Sequence, residues 1–256
     1  MFQTGLVTIS FRSLTPSQII EISVAAGLKA LEWGGDVHVP PTDVEYARRV
    51  AEQTRNAGLM TAAYGSYYRL LQNNDPRAAF APVLETACAL QAPVIRIWGG
   101  VKGSAELTQA EWEAMVAEGR LLVEMASEKG ITLSLECHNW TVTDEYHAAL
   151  RYLEAVPGLT MYWQPNQFIP EQENYLSAQA LAPYVTNLHV FHWLGNDRYP
   201  LADGEEIWKK YLSCFQDRDR WLLLEFMHDD RPESLAQTAE ALRRLIESSN
   251  SKKGDA

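Results

Sequence analysis

Short apolar runs alternate with longer amphipathic stretches along the chain, and the alternation repeats eight times. The apolar runs contain few polar positions, as expected for parallel strands that are covered on both faces. They read LVTISF, ALEWG, LMTAAYG, VIRIWGG, ITLSLEC, LTMYWQP, NLHVFHW and WLLLEFM. Successive runs begin roughly 25–37 residues apart, which suits strand–helix units joined by right-handed crossovers. The pattern therefore predicts eight strand–helix units.

The amphipathic stretches between the runs carry the start and stop signals of helices. Thr15 followed by Pro16 is typical of an N-cap and a first helical residue. Three stretches end at a glycine, the residue preferred just beyond a helix C-terminus. They read SQIIEISVAAG, EYARRVAEQTRNAG and WEAMVAEGRLLVEMASEKG, and PESLAQTAEALRRLIESS predicts the last helix.

Eight such units predict an α/β fold with a single (β/α)8 TIM barrel over residues 1–248. The small polar residues at 249–256 are predicted to form a disordered tail. A doubly wound open sheet is the alternative, but that fold usually carries a Gly-rich phosphate loop after its first strand. Here ISFRSLTPS follows that strand, and neither GxGxxG nor GxxxxGK followed by Ser or Thr occurs.

Composition and charge narrow the class of partner. The chain has 256 residues and a formal net charge of −11, which opposes binding to a nucleic-acid backbone because such binding needs clustered Lys and Arg. No apolar run reaches the roughly 18 residues of a membrane span, and the N-terminus lacks the features of a signal peptide. Cys88, Cys137 and Cys214 form no CxxC pattern. We therefore expect a cytoplasmic protein without nucleic-acid or membrane partners.

Four consecutive runs each end in a polar residue that can bind a metal or move a proton. These residues are Glu136 in ITLSLE, Gln164 in TMYWQ, His189 in TNLH and Glu225 in WLLLE. Because the active site of a TIM barrel lies at the C-terminal strand ends, and neighbouring strands are about 4.8 Å apart, the four side chains are predicted to converge. Two carboxylates, an imidazole and an amide oxygen suit a divalent ion such as Mn, Mg, Co or Zn.

Other residues near the predicted rim are candidates for substrate binding. By strand alternation His138 shares the side of Glu136. Arg96 can bind an anion in bidentate fashion, although a buried ion pair explains an arginine there at least as well. His192 can donate to a substrate oxygen or serve as a loop histidine with a backbone partner. The full set of candidates is Glu32, His38, Arg96, Trp98, His138, Asn139, His192 and Arg198.

Tryptophans are concentrated at the same predicted rim. Five of the eight lie at or just past strand ends, namely Trp33, Trp98, Trp140, Trp163 and Trp193. Flat aromatic faces suit the C–H faces of a sugar and exclude water, so these tryptophans could contact a substrate. Alternatively, they fill the core between the helices and the barrel. Trp163 is predicted to belong to that core, because it neighbours Gln164 and points to the other side of the strand.

Several segments resemble the xylose-isomerase-like TIM-barrel superfamily, the sugar phosphate isomerase/epimerase and AP endonuclease family 2 group, over residues 4–246. LSLECHN is similar to the family's fifth strand LxLExHN, NLHVFHW to its seventh-strand HxHxKD, and LLLEF to its last strand. IRIWGG and ALEWGGDVHV are similar to its fourth and second strands. The resemblance implies a divalent metal held by Glu136, Gln164, His189 and Glu225.

The resemblance also implies a function. Family isomerases and epimerases use the two glutamates, here Glu136 and Glu225, as acid and base on opposite faces of a substrate. The expected activity is therefore a sugar or keto-sugar isomerase or epimerase that transfers a proton through a metal-stabilised enediolate. Its partner would be a small sugar or polyol, and the family's frequent dimers and tetramers imply a homo-oligomer.

Two positions depart from the family pattern and keep other functions open. Gln164 stands where the family usually has Asp, which leaves the site one negative charge short, and His192 stands where HxKD places Asp. A metal-dependent lyase or dehydratase acting on a keto-sugar or inosose is the first alternative. A non-catalytic sugar-binding or accessory barrel is the second. An endonuclease IV-like activity would need further His, Asp or Glu ligands for a metal cluster and a basic face for DNA. The acidic net charge and the small number of histidines, six, disfavour it.

Overall fold

Eight parallel strands close into a barrel in the computed structural model, which describes residues 1–250. Each strand pairs with its neighbours in chain order, and the first and last strands pair with each other to close the sheet. The barrel strands are β1 (Phe2–Val7), β2 (Ala30–Gly34), β3 (Met60–Arg69), β4 (Val94–Trp98), β5 (Thr132–Glu136), β6 (Thr160–Trp163), β7 (Val185–Val190) and β8 (Arg220–Leu224). A short antiparallel hairpin, Trp193–Leu194 with Asp197–Arg198, follows β7.

Each barrel strand is followed by a helix. The helices are α1 (Pro16–Ala25), α2 (Val44–Asn56), α3 (Pro76–Leu90), α4 (Gln109–Ser127), α5 (Tyr146–Ala155), α6 (Glu171–Leu181), α7 (Glu205–Leu212) and α8 (Leu235–Asn250). Thr15 caps α1 as predicted, with its side chain accepting from the backbone of Gln18. The predicted helix-terminating glycines Gly27, Gly58 and Gly130 all adopt positive φ, a conformation that glycine reaches without steric cost.

The strand register separates residues that face the barrel interior from those that face the helices. Leu223 pairs with His189 and Glu136 with Tyr162, and residues paired in this way point to the same face of the sheet. This face is the barrel interior, which is thereby polar near the C-terminal strand ends. The alternate residues, among them Trp163, are buried in the large apolar cluster shared with the helices.

The predicted (β/α)8 barrel is confirmed by this topology. The boundary at residue 248 stays a prediction: α8 continues to Asn250, and the remainder of the predicted tail, 251–256, lies outside the described residues. None of the helices in the described part of the chain is both long enough and apolar enough to cross a membrane.

Candidate metal and active site

The four polar residues predicted from the strand ends lie together at the carboxyl rim of the barrel. Glu136 and His189 belong to β5 and β7, and Gln164 and Glu225 directly follow β6 and β8. One potential ligand atom from each of Glu136, His189 and Glu225 lies within 4.8 Å of the other two. The Oε1 atom of Gln164 lies 3.0 Å from Nδ1 of His189, so the amide reaches the same point.

The His189 ring is oriented by a carboxylate on its far side. Its Nε2 lies 3.4 Å from Oε2 of Glu32, while its Nδ1 lies 3.4 Å from Oε2 of Glu225 and 3.7 Å from Oε1 of Glu136. A proton on Nε2 can therefore be donated to Glu32, which leaves the Nδ1 lone pair facing the two glutamates. A carboxylate behind a ligating histidine is the usual arrangement in protein metal sites.

The Gln164 amide is oriented by a backbone group. Its Nε2 donates to the carbonyl of Cys137 at 2.9 Å, which turns Oε1 towards His189. The side chain therefore presents an oxygen acceptor rather than an N–H donor to the cluster. An amide oxygen is a neutral ligand for hard divalent cations.

A buried arginine joins two of the glutamates beneath the cluster. Arg96 on β4 donates from Nε to Oε1 of Glu32 at 2.8 Å and from Nη1 to Oε2 of Glu136, and its side chain is only 1% exposed. Gly65 on β3 makes room for this pair, because a Cβ at that position would lie 2.5 Å from Oε1 of Glu32. Burial alone would raise the pKa of Glu32, but the charges of Arg96 and His189 outweigh it and hold the pKa at about 2.

The convergence of charges shifts two further groups. Burial raises the pKa of Glu225 to about 7, with help from the negative charge of Glu136 and against the attraction of His189 and Arg96. Burial would lower the pKa of His189, but Glu225, Glu32 and Glu136 together raise it to about 9. In both cases the metal-free protein retains a proton near neutral pH that a bound cation can replace.

These donors fit a divalent metal ion. Glu32, Glu136 and Glu225 carry three negative charges when ionised, and Arg96 carries one positive charge. The net charge around a neutral His189 is therefore −2. Three side-chain oxygens and one imidazole nitrogen can face one point, and these four candidate ligands include no thiolate. That combination is typical of Mn²⁺, Mg²⁺ and related ions that retain open positions for substrate oxygens.

A cavity of about 720 Å³ opens above the cluster. Of the predicted substrate-binding residues, Arg96, Trp98, His138 and Asn139 line it. The rings of Trp98 and His138 lie against each other with their centroids 4.3 Å apart. Trp98, His138 and Asn139 are therefore placed to contact a ligand bound beside Glu136 and Glu225, which also line the cavity. Arg96 is only 1% exposed and is held by its two carboxylate partners.

The other four predicted substrate-binding residues do not line this cavity. Glu32 is fully buried beneath it, held by Arg96 and His189, and Nδ1 of the buried His38 lies 3.0 Å from Oγ1 of Thr8. His192 packs against Gly204, where a Cβ would come within 2.6 Å of its Nδ1. Arg198 lies over the ring of Trp193 and forms an ion pair with Asp230.

The rim tryptophans divide into two groups. Trp33 and Trp163 are fully buried, and Trp163 packs among Trp208, Tyr211 and Phe215, as expected for a core residue. The remaining three, Trp98, Trp140 and Trp193, line the cavity.

Some residues of the site carried no usable signal in the sequence. Arg12 and Tyr67 line the cavity because β3 extends to Arg69, beyond the predicted run, and because a short 3-10 helix follows β1. Asn166 ties two rim loops together by donating to Oδ1 of Asn139 at 2.6 Å. In the sequence, only the position of Asn166 two residues after Gln164 indicated that it lies near the site.

Glu32→Gln is expected to weaken divalent-metal binding by about 10- to 100-fold, because the acceptor that orients His189 loses its charge. Titration calorimetry with Mn²⁺ measures the dissociation constant. Glu118→Gln is the matched control: Glu118 is also a buried carboxylate, but it accepts from Tyr68 and the backbone of Leu71 in the outer layer. Equal losses of affinity in both variants would contradict the orienting role.

Fold and site together define a (β/α)8 barrel with a buried Glu–His–Glu cluster and a neighbouring glutamine at its carboxyl rim. The sequence matches the family model described as xylose isomerase-like TIM barrel over residues 20–247, and the chain belongs to this family. The search of curated proteins gave no match.

Solved structures share the fold across nearly the whole chain. The probable 3-DHS dehydratase AsbF, involved in petrobactin synthesis in Bacillus anthracis, is 20% identical with a TM-score of 0.75, covering 95% of this chain and 99% of that one. An L-ribulose 3-epimerase is 14% identical with a TM-score of 0.75, covering 99% and 97%. The 3-keto-D-glucoside 4-epimerase YcjR of E. coli is 13% identical with a TM-score of 0.69, covering 96% and 99%. At these identities the likeness concerns the fold.

Proposed function

We propose that the protein is a metal-dependent isomerase or epimerase of a sugar or keto-sugar. The observation that carries the proposal is the pair of buried carboxylates, Glu136 and Glu225, which line one cavity and flank the histidine of a candidate metal site. Proton removal and return at a carbon next to a carbonyl needs two such groups. Membership of the xylose isomerase-like family and the epimerases among the structural neighbours support the same reading.

The two glutamates differ in how they are held. Glu136 is fixed from below by Arg96, which leaves its Oε1 facing the cluster. Glu225 has its pKa raised to about 7 by burial and by the charge of Glu136. A carboxyl group with a pKa near the working pH can both accept and return a proton. In the metal-free protein Glu225 therefore exchanges a proton near neutral pH.

Glu136, Gln164, His189 and Glu225 would hold the metal. A divalent ion there would polarise a substrate carbonyl and make the neighbouring C–H more acidic. The aromatic rings of Trp98, Trp193 and Phe226 in the cavity wall would exclude water from the transferred proton. The substrate would be a small sugar or polyol.

A metal-dependent dehydratase or lyase is the second candidate, because it begins with the same proton abstraction. The specific observation in its favour is the dehydratase among the neighbours, at a TM-score of 0.75. The same pair of carboxylates, Glu136 and Glu225, could remove the proton and assist a hydroxyl that leaves from the neighbouring carbon. Analysis of the products by NMR separates the two: an epimer or isomer retains the water that a dehydratase eliminates.

Exchange of solvent deuterium into a ketose tests the proposal. The full chain is stripped of metal, reloaded with Mn²⁺ and incubated in D₂O with a panel of ketohexoses and ketopentoses, including D-fructose and L-ribulose. Mn²⁺-dependent loss of a proton signal next to the carbonyl is the expected result. If Mn²⁺ binds and no ketose exchanges, the barrel is a sugar-binding or accessory protein. If Mn²⁺ does not bind at all, the metal-dependent reaction is contradicted as well.

Metal binding is expected to strengthen as pH rises. The metal requires deprotonated Glu225 and His189, whose pKa values in the metal-free protein are about 7 and about 9. Binding should therefore release about two protons at pH 6 and about one at pH 8. Calorimetry of Mn²⁺ binding in buffers of different ionisation enthalpy counts the protons. An affinity that does not change between pH 6 and pH 8 would contradict the assignment of these two ligands.

A further inference from the structure

An exposed aromatic pair stands at the mouth of the cavity. Trp140, in the loop after β5, is 70% exposed, and Phe168, in the loop after β6, is 51% exposed. Of the eight tryptophans, all within the described residues, only Trp140 is exposed. Both rings line the main cavity and also an adjoining hollow of about 440 Å³. They therefore lie where a ligand that extends out of the metal site would pass.

The backbone holds Trp140 in an unfavourable conformation. Its φ is 58°, in the left-handed region that residues with a side chain rarely adopt. The neighbouring bonds fix it there, since Oγ1 of Thr141 donates to the carbonyl of His138 at 2.8 Å and Nδ1 of His138 lies 2.8 Å from the carbonyl of Asn139. Such conformations concentrate at binding sites, where the surrounding structure maintains them.

The two loops are joined by an asparagine bridge. Nδ2 of Asn166 donates to Oδ1 of Asn139 at 2.6 Å, and Oδ1 of Asn166 accepts from the backbone of Phe168 at 3.0 Å. Asn174 on α6 accepts from the backbone N–H of Asn166 and donates to its carbonyl. Trp140 and Phe168 are consequently positioned relative to each other before any ligand arrives.

The charges around the pair favour a neutral, hydroxyl-rich ligand. Asp144 and Glu145 line both the cavity and the hollow, whereas no lysine or arginine lines the hollow among the described residues. The two arginines that line the main cavity are already paired, Arg12 with Asp36 and Arg96 with Glu32 and Glu136. Both carboxylates accept hydrogen bonds from backbone N–H groups, and Oε2 of Glu145 lies 3.0 Å from Nδ1 of His147. They would still repel a phosphate or carboxylate at this mouth, while sugar hydroxyls can donate to their remaining lone pairs.

From these observations we infer that Trp140 and Phe168 form a second sugar subsite, so that the substrate is a neutral disaccharide rather than a free monosaccharide or a sugar phosphate. In it the second sugar is linked to a hydroxyl of the keto-sugar, which leaves the reacting carbonyl free. The main cavity, at about 720 Å³, lies in the upper part of the roughly 300–1,000 Å³ range of pockets that hold drug-sized ligands. One sugar ring placed beside Glu136 and Glu225 leaves room for a second against the aromatic pair. The inference rests on the proposed function, because the first ring is the one that reacts.

Binding of defined sugars to the full-length, Mn²⁺-loaded protein tests the subsite. The probes are D-fructose, fructose 6-phosphate, and the neutral disaccharides isomaltulose and lactulose, in which glucose or galactose is linked to fructose. Dissociation constants are measured by calorimetry. At least one disaccharide is expected to bind about 10-fold more tightly than D-fructose, and the phosphate less tightly than D-fructose. Trp140→Ala and Phe168→Ala should each remove the preference for the disaccharide without changing the affinity for D-fructose. Met60→Ala, which removes an equally exposed apolar side chain at the start of β3, should leave every constant unchanged.

Two results overturn the subsite: disaccharides that bind no more tightly than D-fructose, or an equal loss of affinity for both sugars in Trp140→Ala. Deuterium exchange separates this failure from failure of the proposed function. A protein that exchanges a proton of D-fructose but has no preference for disaccharides lacks only the subsite. A protein that binds disaccharides through Trp140 but exchanges no proton of any of these ketoses retains the subsite and loses the proposed reaction.

Discussion

Replacing either Glu136 or Glu225 with glutamine is expected to lower the rate of solvent-proton exchange by about 100- to 10,000-fold. Glutamine has nearly the same shape as glutamate and keeps an oxygen that can face a metal, but it cannot accept a proton at neutral pH. The fold should survive, because both side chains lie at strand ends and not in the apolar core. Rates are measured by NMR in D₂O with the Mn²⁺-saturated proteins.

Glu173→Gln is the control for this pair. Glu173 also lines the cavity, but it is an exposed residue in the first turn of α6 and is not part of the metal cluster. Its substitution should leave the rate of exchange within about twofold of the original. Full exchange activity in both cluster variants at saturating Mn²⁺ would show that the two glutamates do not carry the proton.

Arg96→Met is expected to lower the free energy of unfolding of the metal-free protein by about 3–5 kcal/mol. Arg96 is the buried countercharge of Glu32 and Glu136, so its removal leaves both buried carboxylates, with Glu225, sharing His189 as their nearest positive group. Met preserves much of the apolar stem, so loss of packing contributes little to the change. Urea unfolding followed by circular dichroism at pH 7 measures it, and added Mn²⁺ should recover part of the stability because it supplies positive charge to Glu136.

The matched control is Arg12→Met. Arg12 also forms an ion pair with a carboxylate, Asp36, but its side chain is 49% exposed. Exposed pairs of this kind contribute about 0–1 kcal/mol, so the variant should unfold nearly as the original protein does. Similar unfolding free energies for the two variants would mean that the Arg96 network adds no more stability than a surface ion pair.

The sequence was sufficient to predict the barrel because its signals are local and repeat. Each strand is a short apolar run, and the intervening stretches are amphipathic and of helical length, several of them with the end signals of a helix. Glycines such as Gly27 and Gly130 end helices in the predicted places. Eight repetitions leave few other topologies for parallel strands with right-handed crossovers.

The candidate metal ligands were also predictable, since strand ends in successive units must meet at one rim of a barrel. The residues that surround and orient these ligands were not predictable in the same way. Glu32 was predicted to contact substrate, yet it lies wholly beneath the cavity. For Arg96 the sequence left substrate contact and a buried ion pair open, and the structure has the ion pair. Which of several polar side chains pair inside a barrel depends on strand register and rotamers, neither of which a single sequence specifies.

Loop residues were the least predictable. His192 and Arg198 follow β7, at a position that suggested substrate contact, but the hairpin there turns Arg198 towards Asp230 and packs His192 against Gly204. The placement of Trp140 relative to Phe168 depends on a hydrogen bond between two loops that are separated in sequence, from Asn166 to Asn139. Such contacts leave no periodic pattern to detect.

A crystal structure of the protein soaked with Mn²⁺, with anomalous scattering used to locate the ion, is the decisive test of the metal site. One Mn²⁺ is expected, bound by carboxylate oxygens of Glu136 and Glu225, Nδ1 of His189 and Oε1 of Gln164, with Nε2 of His189 still facing Glu32. An anomalous peak elsewhere, or a fully soaked crystal with no ion among these four side chains, would contradict it.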